Sequence, residues 1–162
     1  INLGTAFLAS SVVGMFSKTI EKVVILSAVM SIVTGMGGNA GTQSLSVTIR
    51  ALALGEVDRR DTLKIVGKSF LVGAINGGLL GLVCGSILGI IYGNFFIGLI
   101  MFLAMIGNLI VACTIGFVVP ITLKALKVDP AMASAVLLTT ATDVFGFLIF
   151  LSLATIFLDK LV

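Results

Sequence analysis

The sequence predicts an all-α membrane protein, and three features point there: charge is scarce, apolar runs are long, and the charges gather in a few clusters. Of 162 residues, 59% are hydrophobic and only 10% are charged, with a mean hydropathy of +1.27. Soluble domains carry roughly 25% charged residues. A soluble fold of this size could not cover its surface with so few polar groups, so the solvent is a lipid bilayer.

The charges act as fences between apolar runs. Lys18, Glu21 and Lys22 form the first, and Arg50, Glu56, Asp58, Arg59, Arg60, Asp61, Lys64 and Lys68 the second. Lys124, Lys127 and Asp129 form the third, and Asp159 with Lys160 the last. Asp143 alone stands outside every fence. Between them lie charge-free runs at 1–17, 23–49 and 69–123, and a run at 130–158 interrupted only by Asp143. A spanning helix needs about 20 apolar residues. The 69–123 run is too long for one span and breaks best at "YGNFF" (92–96), where Gly93-Asn94 is a turn signal. Five transmembrane helices follow, at 3–17, 23–49, 68–92, 96–123 and 130–158, in a single domain over 1–162.

The first span is short, and the chain starts at Ile1 inside an apolar stretch. This predicts a piece of a longer protein with residues ahead of Ile1. The opening "INLGTAFLASSVVGMF" lacks the basic leader of a signal peptide. Five spans put the termini on opposite sides. Arg50, Arg59, Arg60, Lys64, Lys68, Lys124 and Lys127 fall on one side, and Lys18, Lys22 and Lys160 on the other. Positive charge favours the cytoplasm, so the 50–68 and 124–129 loops are expected there and the C-terminus outside.

Cys84 and Cys113 fall in mid-span, where cysteine acts as a small buried hydrophobe. With no histidine there is no zinc-type site. The net charge of +3 comes mostly from the loop bias and does not point to nucleic acid.

Within the spans, Gly73, Gly77, Gly81, Gly85, Gly89 and Gly93 recur every fourth residue. In lipid, such a ladder lets another helix backbone approach closely. It suits static packing better than a sliding contact. Asn108, in the middle of the fourth span, is expected to make an interhelical hydrogen bond. Pro120 lies near the end of that span, where neighbouring helices can compensate for the lost backbone bond. Asp129-Pro130 reads as a helix N-cap followed by proline at the first helical position.

Asp143 lies about 20 Å from either end of the fifth span at 1.5 Å per residue. A carboxylate at that depth is costly and marks a functional path by default. No Lys or Arg sits at matching depth, so its partner is a cation, a proton, water or a second copy of itself. Thr139, Thr140 and Thr142 precede it and Gly146 follows, which makes a polar stripe in an apolar helix. The plainer alternative is a protonated Asp hydrogen-bonded to a neighbouring helix. Magnesium sheds its waters reluctantly and is usually held by one or two carboxylates. Two copies around a symmetry axis could hold such a hydrated dication through its waters.

The decapeptide "GMGGNAGTQS" (35–44) falls in the middle of the second span. It has no Lys or Arg and no preceding strand, which argues against a phosphate loop. Polar and exposed backbone at membrane depth is tolerated where it is buried in protein or lines water. The segment is therefore pore lining or a packing hinge.

Three stretches, "GMGGNAGTQSLSVTIRALALGE" (35–56), "VVPITLKALKVDPAMAS" (118–134) and "TTATDVFGFLIFLSLATIFL" (139–158), closely resemble the membrane domain of MgtE-type magnesium channels. The resemblance covers essentially the whole chain. It implies a homodimer in a prokaryotic inner or plasma membrane, with a cation path on the two-fold axis lined by the second and fifth spans of both copies. It further implies that Asp143 is the central acid meeting hydrated Mg²⁺, the transported ion, with Mn²⁺ or Co²⁺ as further candidates. Gly35, Gly38, Asn39 and Thr42 would line the path from the second span, and Thr139 and Gly146 from the fifth. Asp129 resembles a metal-binding acid at the cytoplasmic mouth. Family members often carry Asn where Thr42 stands and Pro where Ser31 stands. They usually carry Mg²⁺-sensing cytoplasmic N-terminal and CBS domains, which this chain does not contain. The resemblance implies a channel rather than an enzyme. An ion-coupled secondary transporter also suits a midplane acid and glycine-broken helices, and a bare membrane anchor would leave Asp143 without a role.

Overall fold

The computed structural model describes residues 2–57 and 62–161, with the side chains of all but 131–133. Among these residues the chain is all-helical. Helix α1 spans Asn2–Met15, α2 Ser17–Lys22, α3 Ile25–Leu54, α4 Thr62–Ile91, α5 Phe95–Ala125, α6 Pro130–Ile156 and α7 Leu158–Leu161.

Among the described residues, three helices are both long and apolar enough to cross a membrane: α4, α5 and the 134–156 part of α6. This is fewer than the five spans expected, for two physical reasons. Helix α1 has 14 residues, short of the ~20 a bilayer core needs, because the chain turns at Phe16 into the separate α2. Helix α3 has 30 residues, but the polar decapeptide dilutes its apolar character. The helices also run past the apolar segments. Arg50 lies inside α3, and Lys64 and Lys68 inside α4. Asp58, Arg59, Arg60 and Asp61 lie outside the described residues.

Local signals account for the helix ends. Gly55 adopts φ +72° past the end of α3, and the Glu56 amide bonds back to the Ala51 carbonyl at 3.0 Å, the glycine-terminated C-cap. Lys124 Nζ donates to the Leu52 carbonyl at 2.8 Å, so α5 caps α3 at the same end. The expected turn between α4 and α5 is present. Gly93 takes φ +62°, and the Asn94 side chain accepts from the Phe96 amide at 2.8 Å. Helix α6 opens on Pro130, directly after Asp129.

Contacts between helices fix the directions. Gly85 of α4 faces Gly98 of α5 and Gly73 faces Ile110, so the two helices are antiparallel. Asn108 of α5 reaches Val33 and Ser44 of α3 reaches Cys113, so α3 and α5 run parallel. Gly107 of α5 meets Ile149, and Gly41 of α3 meets Leu138, so α6 opposes both. Helix α1 lies alongside α6, and Thr19 in α2 shares a hydrogen bond with Thr155 at 2.9 Å. The chain ends and turns therefore segregate as the charge fences do: the turns after α3 and α5 at one end, and α2, the 92–94 turn and α7 at the other.

Helix α5 is the hub. Ile100, Met101, Ala104, Met105, Leu109 and Ala112 are each at most 1% exposed. Its closest partner is α4, through the predicted glycine ladder. A Cβ on Gly73, Gly77, Gly81 or Gly85 would come within 2.6–2.8 Å of α5 backbone atoms. Gly89 sits looser, with its nearest contacts at 3.8 Å, and Gly93 belongs to the turn. The close approach that small residues permit in membranes is thus made within the chain, to the helix that follows.

Candidate functional site

The decapeptide is neither a loop nor a break. Gly35–Ser44 lies wholly inside α3, so its backbone amides and carbonyls are committed to the helix. The segment has two faces. Gly37 and Gly41 are buried: a Cβ on Gly37 would overlap the Asn108 amide, and one on Gly41 would stand 2.7 Å from Leu138. Gly35 and Gly38 have nothing within 4 Å of a would-be Cβ. Gly35, Asn39 and Thr42 are exposed and Gly38 is half-buried. These four positions, at i, i+3, i+4 and i+7, share one side of the helix. Ser31 and Ser46, exposed on the same side, extend the stripe. The exposed large hydrophobics of α3 are Val47 and Leu54 alone among the described residues. Thr42 donates to the Gly38 carbonyl at 2.7 Å, within its own helix.

Asp143 stands midway between the ends of α6, about 20 Å from each, and is half-buried. Its carboxylate has no hydrogen-bond or ion-pair partner among the described residues. The alternative of an Asp bonded to a neighbouring helix therefore finds no partner among them. Asp143 opens into a groove of about 380 Å³ shared with Thr139 and Thr140 of α6 and with Asn2 and Thr5 of α1. The sequence reading missed Asn2 and Thr5, because nothing in the spacing of α1 tells which helix it lies against.

Helices α3 and α6 are in register. Gly146 meets Thr34 and Leu138 meets Gly41, which sets Asp143 level with the Met36–Gly37 turn of α3. The acid and the open glycine face thus occur at one depth. Thr139 is exposed and donates to the Ala135 carbonyl at 3.0 Å. Thr142 is fully buried and bonds to the Thr139 carbonyl at 3.1 Å. Gly146, ~60° around the helix from Asp143, turns inward. A Cβ there would stand 3.0 Å from Asn108 Nδ2 and from Thr34 Cγ2. Asp129 lies exposed at the start of α6, a full half-helix from Asp143, and the fold does not bring the two acids together. No three acidic or thiol side chains converge as a metal-binding group among the described residues. A lone carboxylate beside hydroxyls and open helix faces suits an ion that keeps its waters, not a fully dehydrated one.

Comparison with known proteins gives a consistent pattern. Residues 30–153 match a family described as MgtE, divalent cation transporter. Curated proteins called magnesium transporter MgtE are similar over nearly the whole chain. The Bacillus subtilis protein is 33% identical over 95% of this chain and 34% of its own length. The Thermus thermophilus protein is 34% identical over 96% of this chain and 34% of its own. The Enterococcus faecalis protein is 30% identical over 92% and 33%. The chain thus spans about a third of the length of these relatives.

Proposed function

The chain belongs to the MgtE family of divalent cation transporters, and on that premise we propose that it forms a path for hydrated Mg²⁺ across a membrane. Two copies meet about a two-fold axis, with the open face of α3 and the Asp143 face of α6 turned toward it. Each copy places one carboxylate at mid-membrane, so the pair neutralises the dication at the depth where an unpaired charge is most costly. The observation that carries the reading is Asp143: central in α6, half-buried, without a partner among the described residues, and level with a stretch of α3 that exposes no large apolar side chain.

The ion keeps its inner waters, and the hydroxyls of Thr139 and Thr42 and the amide of Asn39 bond to them. Selectivity then depends on the size and stiffness of the hydrated complex, and Mg²⁺ holds its shell more tightly than Ca²⁺. The basic ends of α3–α4 and α5–α6 face the cytoplasm, as positive charge favours. Asp129 lies at that cytoplasmic mouth, on the exit side for ions entering the cell.

The test is Mg²⁺ uptake into proteoliposomes holding the Asp143→Ala protein. We expect uptake to fall to background while the protein still assembles. Uptake equal to that of the unmodified protein overturns the reading. Flux that requires a proton or sodium gradient would favour the coupled transporter instead, and single-channel currents would exclude it.

A further inference from the structure

Asn108 sits where α3, α5 and α6 converge and is 0% exposed. Its Nδ2 donates to the Val33 carbonyl at 2.7 Å. That partner fixes the amide's orientation, since the flipped form would set two oxygens against each other. Its Oδ1 has no donor among the described residues. The amide is seated against two glycines. A Cβ on Gly37 of α3 would overlap it, and a Cβ on Gly146 of α6 would stand 3.0 Å from Nδ2.

Packing alone does not call for an amide here. Ala104, Met105, Leu109 and Ala112 of the same helix are all apolar and fully buried. An unpaired buried oxygen is a cost that an apolar side chain would avoid. The two notches also belong to the two helices that carry the ion-path residues. Gly37 adjoins Gly38, and Gly146 is three residues past Asp143. One polar side chain thus touches both helices near the depth of the acid: its directional bond to the Val33 carbonyl fixes α3 against α5, and close packing on Gly146 seats α6 against the same group.

We propose that Asn108 is a positioning residue of the ion path: its amide, held in the notches of Gly37 and Gly146, sets the spacing between the open face of α3 and Asp143. This rests on the ion-path reading above. Asn108 itself touches no ion. It acts as an outer support does at a metal site, where loss of such a partner weakens binding by roughly 10–100-fold.

The test compares Asn108→Leu, Asn108→Ala and Gly146→Ala with the unmodified protein and with Asp143→Ala, in proteoliposomes, at matched amounts of monodisperse protein. Two quantities are read: the half-saturating Mg²⁺ concentration and the ratio of Mg²⁺ to Ca²⁺ flux. A residue that serves folding alone changes how much protein is recovered and moves neither quantity. We expect half-saturation to rise roughly tenfold or more and the flux ratio to fall. Where Asn108→Leu yields no folded protein, Asn108→Ala and Gly146→Ala decide by the same criteria. Unchanged half-saturation and ratio in a folded Asn108 variant, with Asp143→Ala inactive, overturns the positioning role and leaves the path intact. Full activity in Asp143→Ala overturns both.

Discussion

Helices α3 and α4 are both 30 residues long and both rich in glycine, yet they use it differently. In α4 the spacing of four keeps Gly73, Gly77, Gly81 and Gly85 on one face, and all four press on the α5 backbone. The opposite face carries Leu71, Ile75, Leu79, Val83 and Ile87, all exposed, as suits contact with lipid tails. In α3 the glycines cluster and divide. Gly37 and Gly41 pack against Asn108 and Leu138, and Gly35 and Gly38 stay open. Where α4 turns leucine and isoleucine outward, α3 turns out serine, asparagine, threonine and bare backbone. A glycine ladder therefore reports a helix pair, whereas a glycine cluster with polar neighbours reports a helix with two different surroundings.

The contrast can be broken most severely on the packing side. Gly77→Leu puts a branched side chain where even a Cβ would lie 2.6 Å from Ile106 Cα. The obstruction is backbone, so the helices must separate, at about 3 kcal/mol or more. We expect little monodisperse protein in detergent by size exclusion. Normal recovery would mean that the α4–α5 contact is dispensable.

A subtler test lies on the open side. Gly38→Ala meets nothing within 4 Å, and alanine favours a helix over glycine by up to about 1 kcal/mol. Thermal stability should hold or rise slightly while Mg²⁺ flux falls severalfold, because the new methyl intrudes on the path. Unchanged flux would remove Gly38 from the lining. The smallest effect is expected at Gly78, on α4 but off its ladder, also with nothing within 4 Å. Gly78→Ala should keep full flux and gain up to about 1 kcal/mol, read as a small upward shift in melting temperature. A loss of flux there would show that an open glycine alone does not identify the path.

Much of this was legible in the chain itself. The long helices appear where the fences put them, because a helix in lipid must satisfy its own backbone and needs a set number of apolar residues. The ladder, the Gly93-Asn94 turn and the interhelical bond of Asn108 were readable for the same reason, since each is a local pattern with one economical solution. The division of the decapeptide was less legible. Gly35 and Gly37 differ only in which side of α3 they occupy, and the neighbours decide which side is inside. The shortness of the first span was legible, whereas the separate helix α2 after Phe16 was not, because a short charged run between two apolar ones reads as a loop.

The sequence by itself determined the apolar character of the long helices, the place of Asp143 midway along α6 and the glycine face of α4. These depend on hydropathy, on 1.5 Å per residue and on spacing along one helix. Only the tertiary structure decided that Asp143 is level with the glycine face of α3, that Asn2 and Thr5 share its groove, that Gly146 turns inward, and that Asn108 sits between Gly37 and Gly146. Those facts depend on the rotation and register of helices distant in sequence. Side chains set both by fitting one another in three dimensions, and that fit is not encoded in the spacing of any single helix.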